Sequence, residues 1–129
     1  ILGIEAMGIP LAACLSITTG KPLVIGRKRA YELPGEVIVD QSTGYSKGSI
    51  FINDIKPNER VFVVDDVVST GGTLRAVLNA VEKAGAIVQD VVAVFEKGSI
   101  VSEIVAETGW PIRSLVRVRM EGEQVILLD

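Results

Sequence analysis

The hydrophobic pattern of the chain is clearest near its centre, where a buried strand leads into an amphipathic helix. Residues 61–64 are Val-Phe-Val-Val, an uninterrupted apolar run typical of parallel strands that are covered on both faces. A helix over residues 74–84 follows, because apolar side chains recur there at the spacing of one helical face. Those apolar positions are Leu74, Val77, Leu78 and Val81. The pattern predicts a strand, a short loop and a helix that packs on a sheet.

Apolar runs alternate with turn residues along the rest of the chain. The pattern predicts helices over residues 9–19 and 100–108, each followed by a glycine. Further strands are predicted at residues 1–4, 23–25, 37–39, 50–53, 88–95, 112–120 and 125–128. We therefore predict a single α/β domain over residues 1–129, in which helices flank a mostly parallel, twisted sheet that ends in a C-terminal β-hairpin.

Composition excludes several classes of function. The chain has 129 residues, of which 48% are hydrophobic and only 5% aromatic, so we expect an aliphatic core. A net charge of −3 argues against a nucleic-acid partner bound through a broad basic face. No apolar stretch is long enough to span a bilayer, and no membrane partner is predicted.

Cys14, the one cysteine, lies in an apolar run, which predicts a buried thiol and a reducing, cytoplasmic location. The chain starts without methionine, so we expect an N-terminal segment to be missing.

A loop of small and hydroxyl residues joins the central strand to its helix. Gly71 and Gly72 allow the backbone to approach a phosphate closely, and the unpaired N–H groups of a helix start attract anions. Ser69, Thr70 and Thr73 can add hydroxyl donors, which is more than an ordinary capped turn requires. The loop predicts a phosphate site. It is neither a P-loop nor a dinucleotide fingerprint, because both glycine-based motifs are absent.

Asp65 and Asp66, at the end of the predicted strand, indicate a different ligand group. A carboxylate does not face a phosphate closely without a cation between them. We therefore predict that the pair accepts hydrogen bonds from sugar hydroxyls or helps to hold Mg²⁺, directly or through water. One loop would then bind a sugar diol and its 5′-phosphate together.

Residues 61–73 resemble the signature of the type I phosphoribosyltransferases, which bind 5-phosphoribosyl 1-diphosphate. From residue 5 to about residue 98 the chain is similar to the purine salvage members, in particular the archaeal-type hypoxanthine and the adenine phosphoribosyltransferases. The resemblance implies that Asp65 and Asp66 contact the ribose 2′- and 3′-hydroxyls and that residues 69–73 surround the 5′-phosphate. Asp66 is also the candidate for a general acid or base, since the chain contains no histidine.

The turn at residues 5–8 is a second candidate element. Taken alone, Glu-Ala-Met-Gly is an ordinary strand-to-helix turn. The resemblance implies that it is the pyrophosphate loop, which often contains a cis peptide bond before a residue other than proline. Ala6, Met7 and Gly8 would then bind the diphosphate mainly through backbone groups. Glu5 would act through water bound to magnesium or by holding a neighbouring cation.

Arg27, Lys28 and Arg29 form a tight basic cluster after the strand at residues 23–25. A basic cluster at a strand end is often only a solvated edge. In an acidic protein that holds a diphosphate, Arg27 and Lys28 are also the natural counter-charges. In dimeric relatives part of this pair reaches the neighbouring subunit's site, so the resemblance implies a homodimer.

The segment from residue 30 to residue 49 is rich in glycine, serine and threonine, which predicts a long, mobile hairpin that acts as a lid. Its Leu-Pro-Gly-Glu sequence at residues 33–36 resembles the adenine and archaeal purine enzymes. Adenine enzymes place an acidic residue before a tyrosine in this hairpin, whereas this chain has Gly44 before Tyr45. No catalytic acid is therefore carried over, and Lys47 is the nearby charge that could face a phosphate.

The predicted function is a purine phosphoribosyltransferase of purine salvage. It would join a purine base to 5-phosphoribosyl 1-diphosphate, with Mg²⁺ as cofactor, and release pyrophosphate and a nucleoside 5′-monophosphate. The sequence leaves two options open for the base: hypoxanthine or guanine is the first, and adenine is the second. Two alternatives remain: a non-catalytic regulator that senses phosphoribosyl diphosphate, and an inert core that binds the diphosphate without turnover.

Overall fold

Strands and helices alternate along the chain in the computed structural model, which describes residues 1–42 and 47–129. The strands are β1 (Leu2–Ile4), β2 (Val24–Gly26), β3 (Val37–Ser42), β4 (Lys47–Ile52), β5 (Arg60–Val68), β6 (Ile87–Lys97), β7 (Ile112–Glu121) and β8 (Gln124–Leu127). The helices are α1 (Gly8–Thr19), α2 (Gly72–Lys83) and α3 (Ile100–Thr108). Within the described residues, each predicted helix and strand has a counterpart.

Six of these strands form one twisted sheet in the order β2-β1-β5-β6-β7-β8. Neighbouring strands run parallel from β2 to β7, and β8 pairs antiparallel with β7. Strands β3 and β4 form a separate antiparallel pair. The predicted α/β fold, with its mostly parallel sheet and its C-terminal hairpin, is therefore confirmed.

The core is aliphatic and lies between the sheet and helix α2. All four apolar positions predicted for one face of α2 are at most 2% exposed. They pack with Leu2, Ile4 and Val63 of the sheet and with Ile50 and Ile52 of β4. The hairpin predicted over residues 30–49 thus has its base in the core. Residues 43–46, among them Gly44 and Tyr45, lie outside the described residues, so the predicted lid stays a prediction.

Helix α1 contacts β1 and β5, and glycine makes the close contact possible. A Cβ atom added at Gly3 would lie 2.6 Å from the Cβ of Ala12 and 2.8 Å from the carbonyl oxygen of Gly8. Gly8 and Ala12 are also the buried residues of the helix. Because α1 is buried only along that side, Cys14 is exposed, and the prediction of a buried thiol is wrong.

The central strand is longer than its apolar run predicts. Val67 and Val68 pair with Phe95 and Glu96 of β6, so β5 continues through the two aspartates to residue 68. Helix α2 starts at Gly72, two residues before the predicted helix. No helix in the described part of the chain is long and apolar enough to cross a membrane.

Candidate functional site

A cavity of about 380 Å³ opens where β5 ends and α2 begins. The turn that follows β1 and a residue that follows β2 form its opposite wall. Parallel strands bring their carboxyl ends to the same edge of a sheet, which is where ligands bind in open α/β folds. The lining residues are Glu5, Ala6, Met7, Lys28, Asp65, Asp66, Val67, Val68, Ser69, Thr70, Gly71, Thr73 and Leu74.

Asp65 is the most perturbed group in this cavity. Its pKa is raised from 3.8 to about 7, chiefly by burial, and the negative charge of Asp66 contributes to this rise. The backbone N–H of Asp66, which donates to Asp65 Oδ1 over 2.9 Å, and the positive charge of Lys28 act in the opposite direction. A carboxyl group that is costly to ionise because it is buried gains from a hydrogen-bond donor or cation that a ligand supplies.

The loop before α2 leaves the start of that helix open to the cavity. Gly71 occupies the cap position with φ of +78°, a conformation that favours glycine. It has no side chain to cap the helix. The hydroxyl oxygen of Thr70, the residue before it, accepts the N–H of Gly72 over 3.4 Å. Thr70 and Gly71 both line the cavity, so the positive end of α2 faces the space where an anion could bind.

The turn after β1 is held firmly against the segment that follows β2. The N–H of Glu5 donates to the carbonyl oxygen of Gly26 over 3.0 Å. Its carboxylate Oε2 accepts the backbone N–H of Lys28 over 2.7 Å. The peptide bond between Glu5 and Ala6 is cis, as the resemblance implies. Glu5 thus binds the backbone N–H of Lys28, whose side chain carries a positive charge, and holds this residue at the cavity.

Four of the predicted site residues do not line the cavity. Gly8 lies behind it, where an added Cβ would be 2.8 Å from the carbonyl oxygen of Val64 and 3.1 Å from Asp65 Oδ1. Gly72 forms the first turn of α2. The Arg27 guanidinium turns instead to Glu36 and Asn53. Lys47 lies in a different depression, beside Asp40 and Gln41. Binding roles for these four remain predictions.

Sequence reasoning missed the apolar part of the lining. Val67 and Val68 belong to the signature segment, but their contribution depends on how far β5 extends. Leu74 directly follows that segment in α2 and was predicted only as a core residue. An available signal was the continuation of β-branched residues past the two aspartates.

Comparison with known proteins identifies the family. A model of the phosphoribosyl transferase domain matches residues 1–107. The chain is 51% identical to a hypoxanthine/guanine phosphoribosyltransferase of Ferroglobus placidus. The alignment spans 129 residues, which are 100% of this chain and 68% of that protein. The chain belongs to the phosphoribosyltransferase family. A second relative with the same name, from Methanocella paludicola, is 48% identical over 128 residues, which are 99% of this chain and 66% of the relative.

Solved phosphoribosyltransferase structures share the fold. Adenine phosphoribosyltransferase from Rhodothermus marinus superposes with a TM-score of 0.79 at 25% identity, over 90% of this chain and 67% of that one. The enzyme from Thermoanaerobacter pseudethanolicus gives 0.78 at 27% identity, over 90% and 68%. The predicted membership of the type I phosphoribosyltransferases is confirmed. The chain spans about two thirds of the length of the relatives it matches.

The free energy of unfolding should decrease as the pH rises from about 4 to about 7 because of Asp65. Its carboxyl group keeps its proton in the folded protein up to a pKa of about 7 but loses it near 3.8 when unfolded. Between these values the folded state binds more protons, so a rise in pH favours unfolding by up to about 1.4 kcal/mol per pH unit. Denaturant unfolding of the unliganded protein across this range measures the slope.

The Asp65→Asn variant should lack this contribution to the slope. Asp90→Asn is the matched control, because Asp90 also accepts the N–H of the next residue, Val91, over 2.9 Å but does not line the cavity. Equal pH slopes for the wild-type protein and Asp65→Asn would contradict the prediction.

Proposed function

We propose that this chain catalyses transfer of the 5-phosphoribosyl group from phosphoribosyl diphosphate to hypoxanthine or guanine, with release of pyrophosphate. The observation that carries the proposal is the shared cavity. It brings the aspartate pair, the open start of α2 and the turn after β1 around one space. Each of these three elements fits a different part of one substrate: a sugar diol, a 5′-phosphate and a diphosphate.

The predicted class of activity, purine phosphoribosyl transfer, is confirmed by the relatives. Those that are about 50% identical over nearly the full chain are named hypoxanthine/guanine phosphoribosyltransferases. Adenine enzymes share the fold, but the two compared above are only 25% and 27% identical to this chain. The higher identity supports a 6-oxopurine as the base rather than adenine.

Within the cavity, Asp65 and Asp66 would accept hydrogen bonds from the ribose hydroxyls. The backbone and hydroxyl groups of residues 69–73 would hold the 5′-phosphate at the positive end of α2. Backbone groups of Ala6 and Met7, with the ammonium group of Lys28, would hold the diphosphate. Breaking the bond between ribose C1 and oxygen develops positive charge on the sugar, so the main work of the site is to orient the substrates and exclude water.

The donor set fits Mg²⁺ bound mainly by the substrate. No group of three or more acidic, cysteine or histidine side chains that could hold a metal lies within the described residues. Mg²⁺ commonly binds to one or two carboxylates together with phosphate oxygens and water, which the Asp65 and Asp66 pair allows. When bound, the ion would neutralise the charge of the leaving diphosphate. Asp66 would be available for proton transfer beside its role at the sugar.

The proposal includes a homodimer in the cytoplasm. Large apolar side chains on the outer strands are strongly exposed, including Leu115 at 65% and Leu127 at 67%, which supports contact with a second copy of the chain. A single cysteine in 129 residues fits a reducing compartment. Sedimentation equilibrium measures the oligomeric state, and a monomer at micromolar concentration would contradict the dimer.

The test is product formation from phosphoribosyl diphosphate, Mg²⁺ and each purine base in turn. We expect inosine or guanosine monophosphate and pyrophosphate in equal amounts. Turnover with adenine alone would overturn the choice of base. Binding of the diphosphate with no turnover on any base would overturn the activity and favour the regulatory alternative.

A further inference from the structure

We propose that Arg75 is a positioning residue for the phosphate loop, residues 69–71, and that it holds this loop against helix α3 through Glu107. The inference rests on the proposed function, because it concerns how the loop would hold the 5′-phosphate of phosphoribosyl diphosphate. It deepens that function by making α3, which contributes no residue to the cavity lining, part of the phosphate-binding machinery.

The phosphate loop contacts both the cavity and α3. Ser69, Thr70 and Gly71 line the cavity. Gly71 also lies directly on α3, since an added Cβ would be 2.6 Å from Ile104 Cδ1 and 3.4 Å from Ile100 Cγ1. With φ of +78° and no space for a side chain, position 71 requires glycine. The conformation of the loop therefore depends on how α3 packs beneath it.

The residues of α3 that meet the loop form one stripe along the helix. Ile100, Ile104 and Glu107 share a face, because positions separated by three or four residues are neighbours on a helix surface. Ile104 is fully buried in the core, and Ile100 packs against that core. Glu107 lies in the last turn of the helix. The stripe thus presents apolar contacts at Gly71 and a carboxylate beside them.

Arg75 connects this carboxylate to the loop. It is the fourth residue of α2, and long helical side chains point back toward the start of their helix. Its Nη2 donates to Glu107 Oε2 over 2.5 Å, and its Nη1 donates to the carbonyl oxygen of Thr70 over 3.5 Å. Its backbone N–H donates to the carbonyl oxygen of Gly71 over 2.9 Å. Arg75 therefore holds the loop with both its main chain and its side chain.

The ion pair between Arg75 and Glu107 contributes more to the placement of the loop than to folding. The two side chains are 31% and 58% exposed, and exposed pairs add little to the free energy of unfolding. The pair nevertheless restricts where the loop backbone lies, and a phosphate site works best when its donors are placed before the ligand arrives. We therefore expect its loss to weaken phosphate binding while the protein stays folded.

The test is calorimetric binding of three ligands to the wild-type protein and to Arg75→Met. The ligands are phosphoribosyl diphosphate with Mg²⁺, ribose 5-phosphate, and pyrophosphate with Mg²⁺. The Kd of the two ligands that carry a 5′-phosphate should rise about fivefold, which is the scale of an exposed ion pair. The Kd of pyrophosphate should stay within about twofold, because the turn after β1 would bind it at the opposite wall.

Glu107→Gln tests whether the effect passes through α3. It should weaken binding of the same two ligands by about two- to threefold, and the double variant should be no worse than Arg75→Met, because both substitutions break the same contact. Glu103→Gln is the matched control on the same helix. Its carboxylate accepts the hydroxyl of Ser99 over 2.8 Å and is not bonded to Arg75, so this variant should bind like the wild-type protein.

Three results would overturn the proposal. An equal loss of pyrophosphate binding would indicate a general defect rather than a misplaced loop. Unchanged binding of ribose 5-phosphate by Arg75→Met would show that the loop does not need this side chain. A loss in Arg75→Met that Glu107→Gln does not share would make Arg75 a direct counter-charge that acts without α3.

Arg75→Lys covers the case in which Arg75→Met fails to fold, because it keeps the charge and the aliphatic stem. A direct counter-charge predicts nearly normal binding for this variant. Positioning predicts the weaker binding expected for Arg75→Met, since an ammonium group does not reproduce the planar fork that joins Thr70 to Glu107.

Steady-state kinetics separate positioning from general destabilisation. The KM for phosphoribosyl diphosphate should rise in Arg75→Met while the KM for the purine base stays within about twofold. Equal changes in both constants would contradict the positioning role. Wild-type protein that binds ribose 5-phosphate and phosphoribosyl diphosphate but turns over no base would refute only the proposed function. Wild-type protein that binds neither ligand would refute both.

Discussion

The variant in which both Asp65 and Asp66 are replaced by asparagine should lose purine phosphoribosyl transfer by at least about a thousandfold. Asparagine keeps the volume of each side chain but replaces two carboxyl groups of the cavity wall by neutral amides. Those carboxyl groups would accept hydrogen bonds from the ribose hydroxyls and bind Mg²⁺. The measurement is kcat/KM for phosphoribosyl diphosphate at saturating hypoxanthine.

The double variant should lose its activity without a loss of folding stability. Because burial raises the pKa of Asp65 to about 7, its neutral replacement should not destabilise the unliganded protein above that pH. Asp90→Asn is again the control, since it removes a strand carboxylate that pairs with Arg113 away from the cavity. A double variant that retains more than about a tenth of the wild-type kcat/KM would refute the assignment of the aspartate pair.

Replacing Gly3 by alanine should lower the free energy of unfolding by about 2 kcal/mol or more. The added Cβ would lie 2.6 Å from the Cβ of Ala12 and 2.8 Å from the backbone oxygen of Gly8. Neither neighbour is the end of a flexible side chain, so α1 must move away from the sheet. Denaturant unfolding measures the loss. Activity should fall as well, because the turn at residues 5–8 connects β1 to α1.

Gly26→Ala is the matched control for this substitution. Gly26 lies in the neighbouring strand β2 and is also buried, but its nearest atom to an added Cβ is Leu2 Cδ2 at 3.5 Å, an ordinary contact. Alanine there should be neutral or stabilising by a few tenths of a kcal/mol, since glycine is unfavourable within a strand. Similar losses for the two variants would show that close packing of α1 is not the cause.

Much of the candidate site could be predicted because it is local in sequence. Asp65, Asp66 and the loop at residues 69–71 all lie within one turn between a strand and its helix. The apolar run before them and the helical spacing after them fix that arrangement without help from distant residues. The turn at residues 5–7 was a weaker prediction, because its place beside Asp65 depends on the pairing of β1 with β5.

The predictions for Arg27 and Cys14 illustrate what local pattern does not reveal. A basic residue after a strand can face either a ligand or the protein, and Arg27 turns to Glu36 and Asn53 because β4 pairs with it. An apolar helix is expected to bury its thiol, yet α1 is covered along only one side. Both outcomes depend on contacts with elements distant in the chain.

The amino-acid sequence by itself determined the α/β class, the face of α2 that enters the core and the chemistry of the loop after β5, because hydrophobic period and residue type act over a few neighbouring residues. Only the tertiary structure decided which residues share the cavity, how far β5 extends and which basic side chain faces the cavity. These features depend on strand order and on packing between residues separated by 20 or more positions, such as Lys28 with Glu5 and Arg27 with Asn53.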